Sequence, residues 1–407
     1  MAVSFRYVRK RRLKKPMLQA KEPVRWWLWL FGAALIFLLI GWLHYLFVVS
    51  PLDYANKDFM SLWTGGKAVL RGLDPYNVAV WQPLRAEYGS RWMPDPRAPF
   101  PLWTFLFTVP FALFPLQIGA AAWLTFQEAL LVLNMMWLVG SIGRYRPSAA
   151  EVALLALGAF ASITTALVLI NGQMTYALLA ILTLYLLLAR AERPFWAGFI
   201  LSFIALKPNP FIVFVPLFGL WLLWRRRWHT VAGTVVGGAL LLAVSWIVQP
   251  GWLPAWLNAR SKTAVVEITP TVWGLAAELS PTWWLPLGTV LTVVIVAVVG
   301  WYLFTRDDLD EASVLSLAIA ASLLTTPYVW TYEHALLFLP WLWAFTQLRR
   351  RRLAQMGWVL LAWLLPWLLF MVAALRSRET YAFLVPVLAL VVIWWLEGRA
   401  PVQERSS

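Results

Sequence analysis

The chain contains no cysteine, so disulfides and thiolate metal sites are excluded. It has three histidines in 407 residues, His44, His229 and His334. That leaves no ligand set for a transition-metal centre, although carboxylates could still take a hard divalent cation. No cofactor is expected. Charge is also scarce: 13% of residues are Asp, Glu, Lys or Arg, where soluble domains carry about a quarter. No phosphate-binding Walker loop, dinucleotide fingerprint, His-Glu-x-x-His or nucleophile elbow is present. Sequence repeats, low-complexity linkers and a soluble domain are absent as well.

What fills the chain instead is apolar. Hydrophobic residues make up 61% and the mean hydropathy is +0.69. Runs of membrane-spanning length recur from Trp26 almost to the end, which defines an all-α polytopic membrane protein. The net charge of +15 gathers where those runs end, at 9–12 with Lys14 and Lys15, at 225–227 and at 349–352. Basic residues flanking spans mark the cytoplasmic side and attract lipid headgroups. They form no single stripe, so nucleic acid is not an expected partner. The first run, 26–49, exceeds a signal-peptide core of about 7–15 residues and has no small-x-small cleavage site, so it reads as an uncleaved anchor. Trp at run ends, such as Trp26, Trp27, Trp394 and Trp395, fits interface belts.

Further candidate spans are 100–116, 119–140, 152–170, 173–189, 195–206, 209–224, 229–248, 284–304, 313–328, 334–347, 356–374 and 379–396. Both termini fall on the cytoplasmic side, which demands an even number of crossings, so one candidate does not cross. The weakest are 195–206, which is short, and 100–116, which Pro99, Pro101, Pro110 and Pro115 flank and break. A re-entrant 100–116 leaves about twelve crossings and keeps Arg144, Arg146, Arg190 and Arg193 inside. The organisation expected is a basic cytoplasmic tail at 1–25, one membrane domain at 26–396 in the plasma membrane, and a cytoplasmic tail at 397–407. Two polar stretches, 50–98 and 249–283, become extracytoplasmic loops.

The polar residues worth attention interrupt this pattern. In 58–71, Phe59, Leu62, Trp63, Gly66, Val69 and Leu70 share one helical face, and Thr64, Lys67, Ala68 and Arg71 the other. Gly72 stops this helix and Asp74-Pro75 prevents its continuation. A helix this short after a span lies in the interface plane. Asp58 at its head is an N-cap, a general base, or both. Asn171-Gly-Gln173 is a turn or a polar patch at membrane depth. Lys207, between apolar stretches, either snorkels or waits for a phosphate. Glu333 and His334 open a span on the outer face, and Arg260 and Lys262 add cations in the second loop. His44 and His229 stand apart from these motifs.

Taken in order, Lys57-Asp58-Phe59 leading to Gly72-Leu73-Asp74-Pro75-Tyr76, Ala98-Pro99-Phe100-Pro101, Asn171-Gly172-Gln173, Leu206-Lys207-Pro208, the 225–228 run and 326–334 resemble glycosyltransferase family 87. The family usually has Tyr-Pro-Pro at the Ala98 motif and Asp or His at Glu333. The resemblance implies a GT-C-type helix bundle and transfer of a sugar, mannose first among candidates, from a polyprenyl-phosphate-sugar donor to a lipid or glycan acceptor. It implies action on the outer face, with inversion. Asp58 would then be the base. Lys207 and His334 would serve the donor phosphate or reacting centre, and Asn171, Gln173 and Glu333 would contact the sugar or support the site. A polyprenyl-lipid transporter would predict inverted repeats and broken helices at the midplane; a non-catalytic scaffold would not bind the donor.

Overall fold

A computed structural model describes residues 26–50, 54–91, 98–143, 147–259, 266–349 and 351–399, with the side chains of 26–30, 259 and 399 excepted. The tail at 1–25, most of 397–407, and the loop cations Arg260 and Lys262 lie outside the described residues. Every regular element described is helical. In chain order these are α1 (Trp26–Phe47), α2 (Asp58–Leu70), α3 (Val78–Glu87), α4 (Leu102–Ala112), α5 (Leu116–Gly143), α6 (Ala149–Phe160), α7 (Ile163–Asn171), α8 (Thr175–Arg190) and α9 (Pro194–Leu201). Then come α10 (Phe214–Trp224), α11 (Trp228–Val248), α12 (Trp252–Ala259), α13 (Val272–Leu279), α14 (Trp284–Thr305), α15 (Glu311–Thr325), α16 (Phe338–Gln347), α17 (Arg352–Arg376) and α18 (Leu384–Arg399). Short 3₁₀ turns at Ser202–Leu206 and Thr331–Leu337 extend α9 and precede α16.

Among the described residues, five helical stretches are long and apolar enough to cross a membrane by themselves, and the α6–α7 pair, bent by 68°, makes a sixth if it is one span. The bend exposes the Ala161 carbonyl, and the indole N–H groups of Trp363 and Trp367 donate to it at 3.1 and 3.0 Å. Hydrocarbon offers no hydrogen bonds, so a broken span needs such internal partners. The tightest pairing is α9 on α11. A Cβ on Gly198 would sit 1.9 Å from the Thr230 carbonyl oxygen, and one on Gly233 would sit 1.9 Å from that of Phe195. Small residues let the two backbones touch, the usual source of helix association in lipid.

The bundle has two chemically distinct ends. At one, Arg225 pairs with Asp307 at 2.5 Å, Arg349 with Glu151 at 4.0 Å, and Arg190 reaches the Ile142 carbonyl at 3.5 Å. At the other the loops interlock: Gln249 donates to Asp74 at 2.7 Å, Trp273 to the Thr325 carbonyl at 2.7 Å, and the Glu379 amide to the Ile268 carbonyl at 3.1 Å. We call these the arginine end and the loop end. At the loop end α4 fills the space between α2 and α9. Thr108 donates to the Leu62 carbonyl at 2.9 Å, Trp103 to that of Ala205 at 2.7 Å and Thr104 to that of Leu206 at 2.6 Å.

Two expectations change here. Asp58 is not the N-cap of α2: Lys57 occupies that position, and Asp58 is the first helical residue with its carboxylate turned to another segment. Thr64 and Ala68, assigned to the polar face, are buried along with Met60, while α4 lies against Leu62, Gly65 and Gly66, so the helix is covered on both sides. Gly72 does terminate α2, at φ +64°.

Candidate active site

A row of hydrogen bonds joins three of the motifs. Gln173 donates its amide to Asp58 Oδ2 at 2.5 Å and accepts from Lys207 Nζ at 2.6 Å. Lys207 pairs in turn with Glu333 Oε1 at 2.7 Å, and the other Glu333 oxygen accepts from the Trp330 amide. Gln173, Lys207 and Glu333 are buried, while Asp58 is half-buried. The order Asp58–Gln173–Lys207–Glu333 thus runs from the accessible edge into the interior.

Local structure explains each placement. Asn171-Gly172 is the turn that the dipeptide predicts, with Gly172 left-handed at φ +66° closing α7. A Cβ on Gly172 would fall 2.5 Å from the Phe59 Cβ. Glycine therefore serves two needs at once, the conformation and the close approach of α2. Gly172 also accepts from the Trp123 indole at 2.9 Å, which fixes the turn beneath α2. Gln173 then emerges beside Asp58. Lys207 is delivered by the 3₁₀ end of α9, and its Nζ lies 4.8 Å from the centre of the Tyr332 ring.

Burial raises the Asp58 pKa above the ordinary carboxylate value; the charge of Lys207, the Gln173 hydrogen bond and the charges of Arg85 and Lys57 oppose that rise. Behind the row, Glu379 accepts from the Thr331 amide and hydroxyl at 2.7 Å each and holds the 331–337 turn. Burial pushes its carboxyl up too.

The other expected residues are placed differently. Asn171 donates to the Leu167 carbonyl of its own helix at 2.9 Å, so its amide caps α7 and does not enter the row. His334 is buried beside Glu333, and neither ring nitrogen has a hydrogen-bond partner. Arg85, Tyr332 and Glu379 were not anticipated. Arg85 is buried and donates to Ser90 at 3.1 Å. Its only sequence signal was a cation within a polar loop. Among the described residues no three of His, Asp or Glu gather in a metal-binding group.

An accessible carboxylate of raised pKa, backed by a buried cation and neutral amides, suits proton abstraction from a hydroxyl next to a developing negative charge. The family model for glycosyltransferase family 87 matches residues 99–327, more than half of the chain. Gln173 and Lys207 lie within the match, and Asp58 and Glu333 lie on either side of it. No curated protein and no solved structure matches. The chain belongs to glycosyltransferase family 87 and is a membrane glycosyltransferase.

Proposed function

We propose that this enzyme is an inverting hexosyltransferase of GT-C type. It takes its sugar, mannose first among candidates, from a polyprenyl phosphate and passes it to a lipid or glycan hydroxyl outside the plasma membrane. The observation that carries the reading is the Asp58–Gln173–Lys207–Glu333 row, because it converts four separated polar residues into one acid–base unit. Asp58 takes the acceptor proton as that oxygen attacks the anomeric carbon. Gln173 holds Oδ2 and leaves Oδ1 to face the acceptor. Lys207 and Arg85 offset the charge that grows on the departing lipid phosphate, and His334, buried without a partner, is available to it as a donor.

Sidedness is supported by helix polarity. Gln173, Lys207 and Glu333 stand where α8, α10 and α15 meet the loop end, and Arg190, Arg225 and Glu311 stand at the opposite ends of the same helices. An arginine-rich end is the cytoplasmic one. Both flanks of α4 lie at the loop end, where Ala98 donates to the Pro75 carbonyl at 3.2 Å and Gln117 to that of Val49 at 3.0 Å. This favours a re-entrant 100–116, about twelve crossings, both termini inside, and α2 resting near the outer interface. The test is transfer from polyprenyl-phosphate-mannose in detergent by Asp58→Asn; near-normal turnover would remove Asp58 from the mechanism.

A further inference from the structure

The stretch 328–332, which leads from α15 into the 331–337 turn, carries an aromatic side chain at every second position: Tyr328, Trp330 and Tyr332. Val329 and Thr331 between them are buried, at 0% and 4% exposure, while the three aromatic residues are half-buried. That alternation has the two-residue period of extended chain, and Trp330 is extended at φ −121° and ψ 164°. The small side chains are turned into the bundle and the rings out of it. Glu379 fixes the stretch by accepting from the Thr331 amide and hydroxyl at 2.7 Å each. The rings are therefore set before any ligand arrives, which lowers the cost of binding.

These rings reach the acid–base row. Tyr328 and Trp330 meet edge to face, with centres 6.0 Å apart and planes at 81°. The Tyr332 ring faces Lys207 Nζ at 4.8 Å. Burial, and after it the charges of Glu333, Asp58, Tyr328 and Glu379, push the Tyr332 hydroxyl pKa well up. The hydroxyl thus stays protonated and able to donate, with the row's carboxylates around it. Among the described residues no hydrogen bond engages it or the Trp330 indole N–H.

Aromatics of an interface belt stand against lipid, away from buried charges. Rings set among carboxylates and a lysine suit a ligand that is apolar on one face and polar at its rim. A pyranose chair is such a ligand, with a face of C–H bonds for an indole and a rim of hydroxyls for O–H and N–H donors. The donor's anomeric carbon has to lie between the phosphate it leaves, at Lys207, and the oxygen that Asp58 activates. Tyr332 adjoins Lys207 and lies in the field of Asp58, so it borders that space.

We infer that Tyr328, Trp330 and Tyr332 hold the sugar ring of the lipid-phosphate donor and select a hexopyranose over a pentofuranose. Trp330, braced by Tyr328, packs on the C–H face, and the Tyr332 hydroxyl donates to the hydroxyl rim. A five-membered ring is smaller and carries substituents on both sides, so it offers no C–H face of that extent. The inference rests on Lys207 holding the donor phosphate.

The test measures binding to the full chain in detergent, in the Asp58→Asn background so that turnover does not enter. Polyprenyl-phosphate-mannose, polyprenyl-phosphate-arabinofuranose and bare polyprenyl phosphate of one chain length are the probes. The mannosyl lipid should bind about tenfold more tightly than the other two. Adding Trp330→Leu should abolish that margin and leave affinity for the bare phosphate unchanged, and Trp330→Phe, which keeps a ring face, should recover most of it. Tyr332→Phe, which keeps the ring beside Lys207, should narrow the margin about threefold. In enzyme that retains Asp58, Trp330→Leu should raise KM for the donor and leave that for the acceptor unmoved. A rise in acceptor KM alone would assign the rings to an acceptor sugar and overturn the inference. Equal margins for the two sugars, or a margin unmoved by Trp330→Leu and Tyr332→Phe, would overturn it while the lipid-phosphate donor still stands. Failure of all three lipids to bind would remove that donor, and this inference with it.

Discussion

Asp58 acquires its chemical character from residues far away in the chain. Its carboxyl is raised by burial at the head of α2, and Lys207, Gln173 and Arg85 restrain that rise. A base works only when deprotonated, so activity should fall as pH drops through this raised pKa. Arg85→Gln removes one restraining charge and should move the acid limb of kcat/KM to higher pH. An unmoved limb would show that Arg85 does not act on Asp58. Lys207→Met leaves Glu333 buried without its cation; such a loss costs about 3–5 kcal/mol, read as a drop in melting temperature. Gly172→Ala forces a side chain into left-handed backbone and against the Phe59 Cβ at 2.5 Å. A loss of about 1–3 kcal/mol with a fall in turnover is expected, because the turn also aims Gln173. Wild-type melting and turnover in Gly172→Ala would contradict the close packing described. The turn itself was legible as one of two readings, since Asn-Gly is a strong turn dipeptide. The partnership of Gln173 with Asp58 was not, because the two are 115 positions apart and neither type announces the other. His334 follows Glu333 directly, yet a 3₁₀ turn rotates successive side chains by about 120°, so sequence adjacency did not place it in the row.

Elements were read well wherever hydropathy alone decided them. The stretches 119–140, 229–248 and 284–304 correspond to α5, α11 and α14 within a few residues. Hydropathy does not register geometry within an apolar run. The 152–170 stretch therefore read as one span, although it bends by 68° at residues 161–162. Two tryptophans from α17, two hundred positions away, make that bend tolerable. The amphipathic reading of α2 failed in part for a related reason: Thr64 and Ala68 on the side read as polar are buried, and a wheel drawn for one helix cannot see its neighbours. The pairing of α9 with α11 is the most sensitive contact between helices. Gly233→Leu would drive a side chain into the Phe195 carbonyl and should separate the two helices. Loss of the monodisperse protein, or a melting temperature lowered by several degrees, is the expected outcome; Gly238→Leu, where a Cβ meets nothing within 4 Å, is the control and should behave as wild type.

At the scale of the whole molecule the two ends differ, with the Asp58–Glu333 row among interlocked loops at one and arginines at the other. The absence of cysteine makes this division simple to examine, because any introduced thiol is unique. Ala149→Cys at the arginine end should label only from the cytoplasm, and Thr282→Cys in the loop before α14 only from outside. The reverse pattern would invert the topology and place the acid–base row on the nucleotide-sugar side. The central claim is that Asp58 is the base for transfer from a lipid-phosphate sugar, and it is met most directly by one measurement. Purified enzyme and its Asp58→Asn variant are assayed against a panel of polyprenyl-phosphate sugars, with the product and its anomeric configuration identified. The account predicts an inverted product from the wild type and a rate lower by about 10²–10⁴ in the variant. Equal rates from the two proteins, or a product of retained configuration, would contradict it.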